Sequence, residues 1–179
     1  MIKMKLIIVT GMPGTGKEEF LNVASGMGIP FVRMGDVVRE AYQSRDPASR
    51  ESSVGAFAEA ERKRYGYDIW AKRSLERMSG KVFLVDGCRS ADEVQQFRKL
   101  TDDVTVVSIS SSPEARYRRL IQRNRDDAPA TLEEFVARDE REMGWGIAKL
   151  MALADVTVPN ETTLEDFREA SREALERLR

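Results

Sequence analysis

A cluster of glycines that ends in a lysine directly follows the first apolar run of the chain. The residues are, in order, Gly11, Met12, Pro13, Gly14, Thr15, Gly16 and Lys17. Glycines allow the backbone to curl so that successive N–H groups point at phosphate oxygens. A helix beginning near Lys17 would add the positive end of its dipole, and the lysine would place a charge over the β- and γ-phosphates. The spacing therefore predicts a phosphate-binding P-loop rather than an ordinary glycine turn.

The residue after the lysine departs from the usual form of this loop. Glu18 occupies the position where a Ser or Thr hydroxyl normally holds Mg²⁺. Its carboxylate would repel a triphosphate unless a metal ion lay between them, whereas an acid that points outward at a helix N-terminus is stabilising. We favour the outward orientation, with Thr15 or bound waters completing the metal shell. The order of the glycines differs from a dinucleotide-binding fingerprint, which argues against NAD.

The composition excludes several kinds of active site. The chain of 179 residues has no histidine and one cysteine, so an imidazole base, an internal disulfide and a multi-cysteine metal site are excluded. Arginine, with 21 residues, outnumbers lysine, with 8, which favours bidentate binding of phosphates or carboxylates. Because the formal net charge is only -1, we expect a local anion site and no nucleic-acid partner.

Short apolar, β-branched runs alternate with longer segments of helical periodicity. The candidate strands are residues 5–10, 30–34, 82–85, 104–109 and 155–158. The capping patterns that predict helix starts are Ser90 with Glu93, Ser112 with Pro113, Thr131 with Glu134, and Thr162 with Glu165. This alternation predicts a single α/β domain over residues 1–179, in which a five-stranded parallel sheet carries helices on both faces.

The chain carries no sign of a membrane segment. No apolar run approaches the ~18 residues of a membrane span, and the first apolar run is too short for a signal peptide. We therefore expect a cytoplasmic protein without membrane contact. The sequence carries no signal for an oligomeric state.

Three segments resemble the adenylate-kinase-like branch of the P-loop kinases, and the resemblance covers most of the chain. The loop 11–17 is similar to that branch's own version, including its Pro-Gly. The segment 34–39 (Met-Gly-Asp-Val-Val-Arg) is similar to a Gly-Asp-x-x-Arg stretch, and 83–89 (Phe-Leu-Val-Asp-Gly-Cys-Arg) is similar to Asp-Gly-Phe-Pro-Arg, one residue shorter. The resemblance implies a three-layer P-loop kinase fold that uses ATP and Mg²⁺.

The same resemblance assigns roles to individual residues. It implies that Arg39 and Arg89 hold the acceptor phosphate, and that Lys17 and Arg123 supply further catalytic charge. Asp86, which ends a buried strand, would hold Mg²⁺ through water. The acceptor-binding set would be completed by Gly35, Asp36, Asp86 and Gly87.

Two further parts of the family fold have counterparts in the sequence. Residues 35–80 would form a helical insertion that binds the acceptor. Residues 116–141 would form a short lid, since an Asp-Asp pair at 126–127 directly follows the arginines where long adenylate kinases insert a whole domain. Arg119 and Arg123 fall where the family has a base-stacking arginine and a lid arginine that closes over the transferring phosphoryl group.

The arginines around these two positions are ambiguous. Arg116 shares a helical face with Arg119 and Arg123, but both Arg116 and Arg118 also fit a solvated basic face. Further along, Arg138 and Arg141 align only loosely with the closing side of a lid.

The C-terminal part looks more like dephospho-CoA kinases. That pattern would place Pro159 and Asn160 in the loop that contacts the ATP adenine. The closest overall match is a group of archaeal adenylate-kinase-related proteins, also labelled dephospho-CoA kinase-like. The two parts of the chain therefore point to different phosphoryl acceptors within one fold.

Three functions remain open at this point. Transfer of the ATP γ-phosphoryl group to a nucleoside monophosphate, AMP by preference, needs positioning and positive charge but no general base. A dephospho-CoA kinase would phosphorylate a ribose hydroxyl, with Asp36 as the candidate base unless that residue caps the next helix. An ATP-binding switch without transfer activity is the third possibility, and the glutamate at position 18 is compatible with it.

Overall fold

Five strands form one parallel sheet in the computed structural model, which describes residues 4–49, 51–123 and 128–179. They are β1 (Lys5–Thr10), β2 (Phe31–Arg33), β3 (Val82–Asp86), β4 (Val104–Ser110) and β5 (Val156–Pro159). Their order across the sheet is β2-β3-β1-β4-β5, so β1 lies at the centre. All pairs are parallel because helical crossovers return the chain to the same end of the sheet between strands.

Helices separate the strands throughout the described residues. They are α1 (Lys17–Gly26), α2 (Met34–Gln43), α3 (Val54–Tyr65), α4 (Ile69–Leu75), α5 (Ala91–Leu100), α6 (Pro113–Gln122), α7 (Leu132–Gly144), α8 (Ile147–Ala152) and α9 (Leu164–Leu178). A short 3-10 turn covers Pro47–Ser49.

The side chains of β1 alternate between two apolar layers. Leu6 and Ile8 pack into a core with residues of α2, α3, α4, α5 and α8. Ile7 and Val9 point to the other face, where α1 and α9 cover the sheet. All four side chains are fully buried, as expected for a central strand with both faces covered. The predicted three-layer α/β fold is confirmed.

Most helix starts lie where the capping patterns predict them. Side-chain caps occur at Ser90, Ser112 and Thr131. The last helix begins one residue later than predicted, because Thr163 and Asp166 form its capping box instead of Thr162 and Glu165. Both pairs have the same spacing, but the observed register buries Phe167 against the sheet, where it is 1% exposed.

Two long crossovers carry the segments predicted to bind the acceptor and to form the lid. Helices α2 to α4 connect β2 to β3, and α6 to α8 connect β4 to β5. The roles of residues 35–80 and 116–141 in acceptor binding and closure stay predictions, and the Asp-Asp pair at 126–127 lies outside the described residues. Within the described residues, no helix has the length and apolar character needed to cross a bilayer.

Candidate functional site

A cavity of about 540 Å³ lies at the carboxyl ends of β1, β2 and β3. Open parallel sheets characteristically bind ligands at this edge. Most of the site residues predicted from sequence line this cavity, which we call the donor cavity. They are Gly11, Pro13, Gly14, Gly16, Lys17, Glu18, Gly35, Arg39, Asp86, Gly87, Arg89, Arg119, Arg123 and Asn160.

The remaining predicted site residues do not line the donor cavity. They are Met12, Thr15, Asp36 and Pro159. Thr15 is 1% exposed, and its hydroxyl donates to the carbonyl oxygen of Met12 at 3.0 Å. The expectation that this hydroxyl completes a metal shell therefore does not hold. Pro159 is the last residue of β5 and lines a separate groove against α9, outside the donor cavity.

The backbone of the loop requires glycine at positions 14 and 16. Gly14 and Gly16 have φ angles of 82° and 103°, in the left-handed region. A Cβ atom on Gly14 would lie 2.7 Å from the carbonyl oxygen of Arg116, and one on Gly16 would lie 2.4 Å from Nδ2 of Asn160. Both separations are too short for a real contact. Glycine thus allows the loop to pack directly against α6 and the segment after β5.

Lys17 folds back over the P-loop. Its Nζ donates to the carbonyl oxygens of Gly11 at 2.7 Å and Met12 at 3.2 Å. Burial lowers the pKa of Lys17, and the attraction of the Asp86 carboxylate offsets only part of this effect. The ammonium group is therefore poorly compensated in the protein alone, and a polyphosphate in the donor cavity would supply the missing negative charge.

Glu18 pairs with an arginine that the sequence did not single out. Nη2 of Arg33 lies 2.5 Å from Oε1 of Glu18, and the glutamate side chain is half exposed. Arg33 ends β2 beside Asp86 of β3, so the sheet register brings it to the site. Arg33 holds the Glu18 carboxylate at the sheet edge, where both residues line the donor cavity, and the outward orientation of Glu18 stays a prediction.

We expect Glu18→Ala to leave the Mg²⁺ dependence of turnover unchanged. The partly exposed ion pair with Arg33 stabilises the protein by less than about 1 kcal/mol, so the variant should also fold normally. The measurement is a Mg²⁺ titration of ATP turnover. Glu165→Ala is the control, since it also removes an exposed acid from the first turn of a helix. A raised Mg²⁺ requirement in Glu18→Ala alone would make Glu18 a metal ligand.

Asp86 ends β3 at the wall of the donor cavity. Its Oδ1 is buried and has no hydrogen-bond partner within the described residues. Burial raises the pKa of Asp86, while Lys17, Arg89 and Arg33 act to lower it. A buried carboxylate oxygen without a partner fits a water-mediated Mg²⁺ contact, because Mg²⁺ keeps several waters and uses few protein ligands. The described residues hold no cluster of three or more acidic or thiol ligands, so substrate phosphates would complete such a site.

Arg39 lies in α2 with its guanidinium over Gly35 and pairs with Asp36. Asp36 also faces Arg33, with 3.9 Å between Oδ2 and Nη1. It occupies the first turn of α2, whose N-cap is Arg33, so Asp36 does not cap the helix. It also fails to line the donor cavity, which leaves it poorly placed to act as a general base.

Arg89 is held by a glutamate from a distant part of the chain. Its Nε donates to Oε2 of Glu142 at 2.7 Å, and its Nη1 donates to the carbonyl oxygen of Gly87 at 3.2 Å. Glu142 belongs to α7 and lines the donor cavity. No sequence pattern indicated this pair, because the two residues are 53 positions apart and meet only through the fold.

Arg119 and Asn160 connect the P-loop to the loop after β5. Arg119 donates to the carbonyl oxygens of Gly14 at 3.3 Å and Asn160 at 2.7 Å. Asn160 in turn donates through Nδ2 to the carbonyl oxygen of Thr15 at 2.9 Å. The cavity wall continues past Asn160 to Thr162 and Leu164, two residues that sequence reasoning missed. This side of the cavity has the polar and apolar groups that a nucleobase would contact.

Arg116 belongs to a buried ion pair rather than to a solvated basic face. It is 5% exposed, and its guanidinium lies 3.0 Å and 2.5 Å from the two carboxylate oxygens of Asp139. Nη1 also donates to the carbonyl oxygen of Pro13 at 3.1 Å. Arg116 thus joins α6, α7 and the P-loop, which corrects the alternative left open by the sequence.

We expect Arg116→Met to lower the free energy of unfolding by about 3–5 kcal/mol, because it leaves Asp139 buried without its partner. Arg118→Met, on the exposed side of the same helix, should cost less than about 0.5 kcal/mol. The double variant Arg116→Met/Asp139→Leu should recover most of the loss. Urea unfolding measures all three, and an Arg116→Met variant whose free energy of unfolding lies within about 1 kcal/mol of the wild type would refute the assignment.

A second cavity of about 600 Å³, the acceptor cavity, adjoins the first. The two share Gly35, Arg39, Arg89, Arg138 and Glu142. The acceptor cavity adds two further arginines, a tryptophan and an apolar wall, made of Arg62, Arg141, Trp145, Val38, Val54 and Ala58. The arginines that the sequence assigned to an acceptor phosphate thus lie where the two cavities meet.

Comparison with known proteins identifies the family. The family model described as AAA domain matches residues 10–136, which include the P-loop, Arg39 and Arg89. The UPF0200 protein Ta0179 of Thermoplasma acidophilum is 41% identical over 95% of this chain and 94% of its own length. The UPF0200 protein of Methanoculleus marisnigri is 42% identical over 98% of this chain and 97% of its own length. The chain belongs to the UPF0200 family. Its UPF0200 relatives are archaeal, as the sequence resemblance implies.

Solved structures share the fold of this UPF0200 protein at low sequence identity. TT1252 from Thermus thermophilus superposes with a TM-score of 0.69 at 16% identity, over 99% of both chains. A gluconokinase from Sinorhizobium meliloti superposes with a TM-score of 0.63 at 15% sequence identity. The match covers 99% of this chain and 94% of the gluconokinase. A shikimate kinase from Bacteroides thetaiotaomicron superposes with a TM-score of 0.60 at 18% sequence identity. The match covers 97% of this chain and 99% of the shikimate kinase. The fold is therefore that of the P-loop kinases.

Proposed function

We propose that the protein is an ATP-dependent kinase that transfers the γ-phosphoryl group to a nucleoside monophosphate, with AMP as the preferred acceptor. The observation that carries this proposal is the junction of the two cavities. Arg39, Arg89 and Arg138 line both cavities at the junction, and Lys17, Asp86 and Arg123 line the donor cavity beside them. An ordinary glycine turn would not be surrounded by these charges.

ATP would occupy the donor cavity with its phosphates on the P-loop. The backbone N–H groups of the loop and the start of α1 would bind the β-phosphate region, with Lys17 reaching the β- and γ-phosphates. The base would lie toward Arg119, Asn160 and Leu164, at the far side of the loop. Mg²⁺, held through water by Asp86, would neutralise charge on the β- and γ-phosphates.

The acceptor would bind on the other side of the junction. Its phosphate would lie against Arg39 and Arg89, with the rest of the molecule in the acceptor cavity. An oxygen of that phosphate forms a bond to the γ-phosphorus as the bond to the β-phosphate oxygen breaks, so ATP and AMP become two molecules of ADP. Because the acceptor phosphate is already ionised, the chemistry needs no general base. The arginines stabilise the charge on the transferring group.

A hydroxyl acceptor is the second candidate, and one observation favours it. The gluconokinase and shikimate kinase that share the fold are named for acceptors other than nucleotides. A hydroxyl acceptor requires a carboxylate near the transferring group, and Oδ1 of Asp86 is buried without a hydrogen-bond partner among the described residues. In that case Asp86 would accept the proton of the hydroxyl. Asp36, the base suggested by the sequence for dephospho-CoA, lines neither cavity.

The test is ATP consumption with a panel of acceptors at fixed Mg²⁺. The panel comprises AMP, the other nucleoside monophosphates, dephospho-CoA, gluconate and shikimate. The proposal predicts that ADP forms fastest with AMP. Turnover with a hydroxyl compound only would establish the second candidate, and tight ATP binding without turnover on any acceptor would establish a nucleotide-binding switch.

A further inference from the structure

Arg62 is a buried arginine at the wall of the acceptor cavity, and neither the P-loop motif nor the family resemblance assigns it a role. It lies near the end of α3 and is only 5% exposed, yet it lines the cavity. Burying a guanidinium costs free energy unless its donors find acceptors. Burial lowers the pKa of Arg62, which reflects this cost, although the nearby Glu93 carboxylate acts in the opposite direction.

The protein itself does not satisfy this guanidinium. The nearest carboxylate oxygen, Oε1 of Glu93, lies 3.9 Å from Nη2, which is too long for a hydrogen bond. Glu93 uses its other oxygen to accept from the backbone N–H groups of Arg89 at 2.6 Å and Ser90 at 3.2 Å. Among the described residues, no side chain or carbonyl accepts a hydrogen bond from Arg62. The N–H donors of Arg62 are thus available to a ligand in the acceptor cavity.

The surroundings of Arg62 place it next to the predicted phosphate site. Its guanidinium carbon lies 5.0 Å from the ring centre of Trp145, and that of Arg89 lies 5.4 Å from the same ring. Trp145 therefore holds both guanidiniums beside one aromatic side chain at the end of α7. Glu142 already neutralises Arg89 in part, through the hydrogen bond of 2.7 Å to its Nε. An anion that enters here meets Arg62, whose nearest carboxylate oxygen, on Glu93, lies 3.9 Å away and accepts no hydrogen bond from it.

We infer that Arg62 is an acceptor-binding residue that donates charge-assisted hydrogen bonds to the phosphate of the acceptor, on the side of Trp145 shared with Arg89. This inference rests on the proposed function, because it assigns a third arginine to the same phosphate beside Arg39 and Arg89. A ligand phosphate would accept hydrogen bonds from the Arg62 guanidinium, from which no group among the described residues accepts one. Arg62 therefore determines the affinity for the acceptor and not for ATP.

The test measures AMP and ATP affinity by calorimetry for the wild type and three variants. Arg62→Met should weaken AMP binding by about 10- to 100-fold, the effect of losing hydrogen bonds to a charged group, and leave ATP binding within about twofold. Arg62→Lys should recover part of the loss. Arg64→Met is the matched control, since Arg64 lies exposed on the same helix, with its guanidinium over the ring of Tyr65, and lines neither cavity. It should bind AMP like the wild type.

A second variant, which should strengthen AMP binding instead of weakening it, keeps the inference testable if Arg62→Met misfolds. Glu93→Gln keeps a carbonyl oxygen for the two backbone N–H groups but removes the negative charge near Arg62. If Arg62 binds the acceptor, Glu93→Gln should bind AMP about two- to tenfold more tightly. A purely structural ion pair predicts lower stability for both variants and unchanged AMP affinity, which would overturn the inference while leaving the proposed function intact. A wild type that binds ATP but no nucleoside monophosphate would overturn both.

Discussion

Lys17→Met is expected to lower kcat/KM by roughly 10³-fold while it raises the stability of the protein without nucleotide. The loss of turnover follows from removing the charge over the transferring phosphoryl group. The gain in stability follows from burial, which lowers the pKa of Lys17 and so makes its charged form unfavourable in the folded state. Steady-state kinetics and thermal unfolding measure the two effects.

The pH dependence of the stability difference has a definite sign. Below the lowered folded-state pKa, Lys17 is charged in both the folded and the unfolded protein, and the full cost of burying the charge is present. As the pH rises through the lowered pKa toward 10.5, the folded protein loses this proton first and the cost diminishes. The stability of the variant should therefore exceed that of the wild type most below the lowered folded-state pKa of Lys17, and the two should converge as the pH approaches 10.5.

The control for this prediction is Lys149→Met, which removes an exposed lysine from α8. It should change neither kcat/KM nor the melting temperature. If Lys17→Met retains more than a tenth of the wild-type kcat/KM, Lys17 does not act on the transferring group.

Asp86→Asn is expected to lower kcat by about 10²- to 10³-fold and to raise the Mg²⁺ concentration for half-maximal rate by about 10- to 100-fold. The amide keeps the shape of the side chain but removes the charge from the buried Oδ1, which has no partner in the described part of the chain. Mg²⁺ titrations of turnover test this, with calorimetry to show that ATP still binds.

Asp102→Asn, an exposed acid before β4, is the matched control and should behave like the wild type in the same titrations. The Mg²⁺ titration also separates the two candidate acceptors. A general base would show a pH-dependent loss of kcat at an unchanged Mg²⁺ requirement, whereas a metal-binding carboxylate shifts the Mg²⁺ requirement itself. An unchanged kcat and Mg²⁺ requirement in Asp86→Asn would exclude both roles.

The fold and the P-loop could be predicted from the sequence because their signals are local. A strand buried on both faces reads as a continuous apolar run, as at Lys5–Thr10, and the loop chemistry fixes glycine spacing within seven residues. The family resemblance placed Arg39, Arg89 and Asp86 at one cavity although they lie far apart along the chain. Asp86 ends β3 and Arg89 precedes α5, so these two positions are set by where a strand ends and a helix begins, which sequence patterns report.

The charge pairs around the two cavities that the sequence missed are mostly long-range. Arg116 resembled a residue of a solvated face because its partner, Asp139, lies 23 positions away on another helix. Glu142 and Arg62 carried no pattern, since only the packing of α3, α5 and α7 brings them near Arg89. Helical periodicity gives the face on which a side chain lies but not the element that covers it, so buried charge pairs are the least predictable part of this site.

Isotope transfer tests the central claim most directly. ATP labelled with ³²P in its γ-phosphoryl group is incubated with the protein, Mg²⁺ and unlabelled AMP, and the products are separated. Phosphoryl transfer at the junction of the two cavities predicts that the label appears in the β-phosphoryl group of ADP formed from AMP, and that Lys17→Met abolishes this product. Label found only in inorganic phosphate, or only in unreacted ATP, would contradict the account.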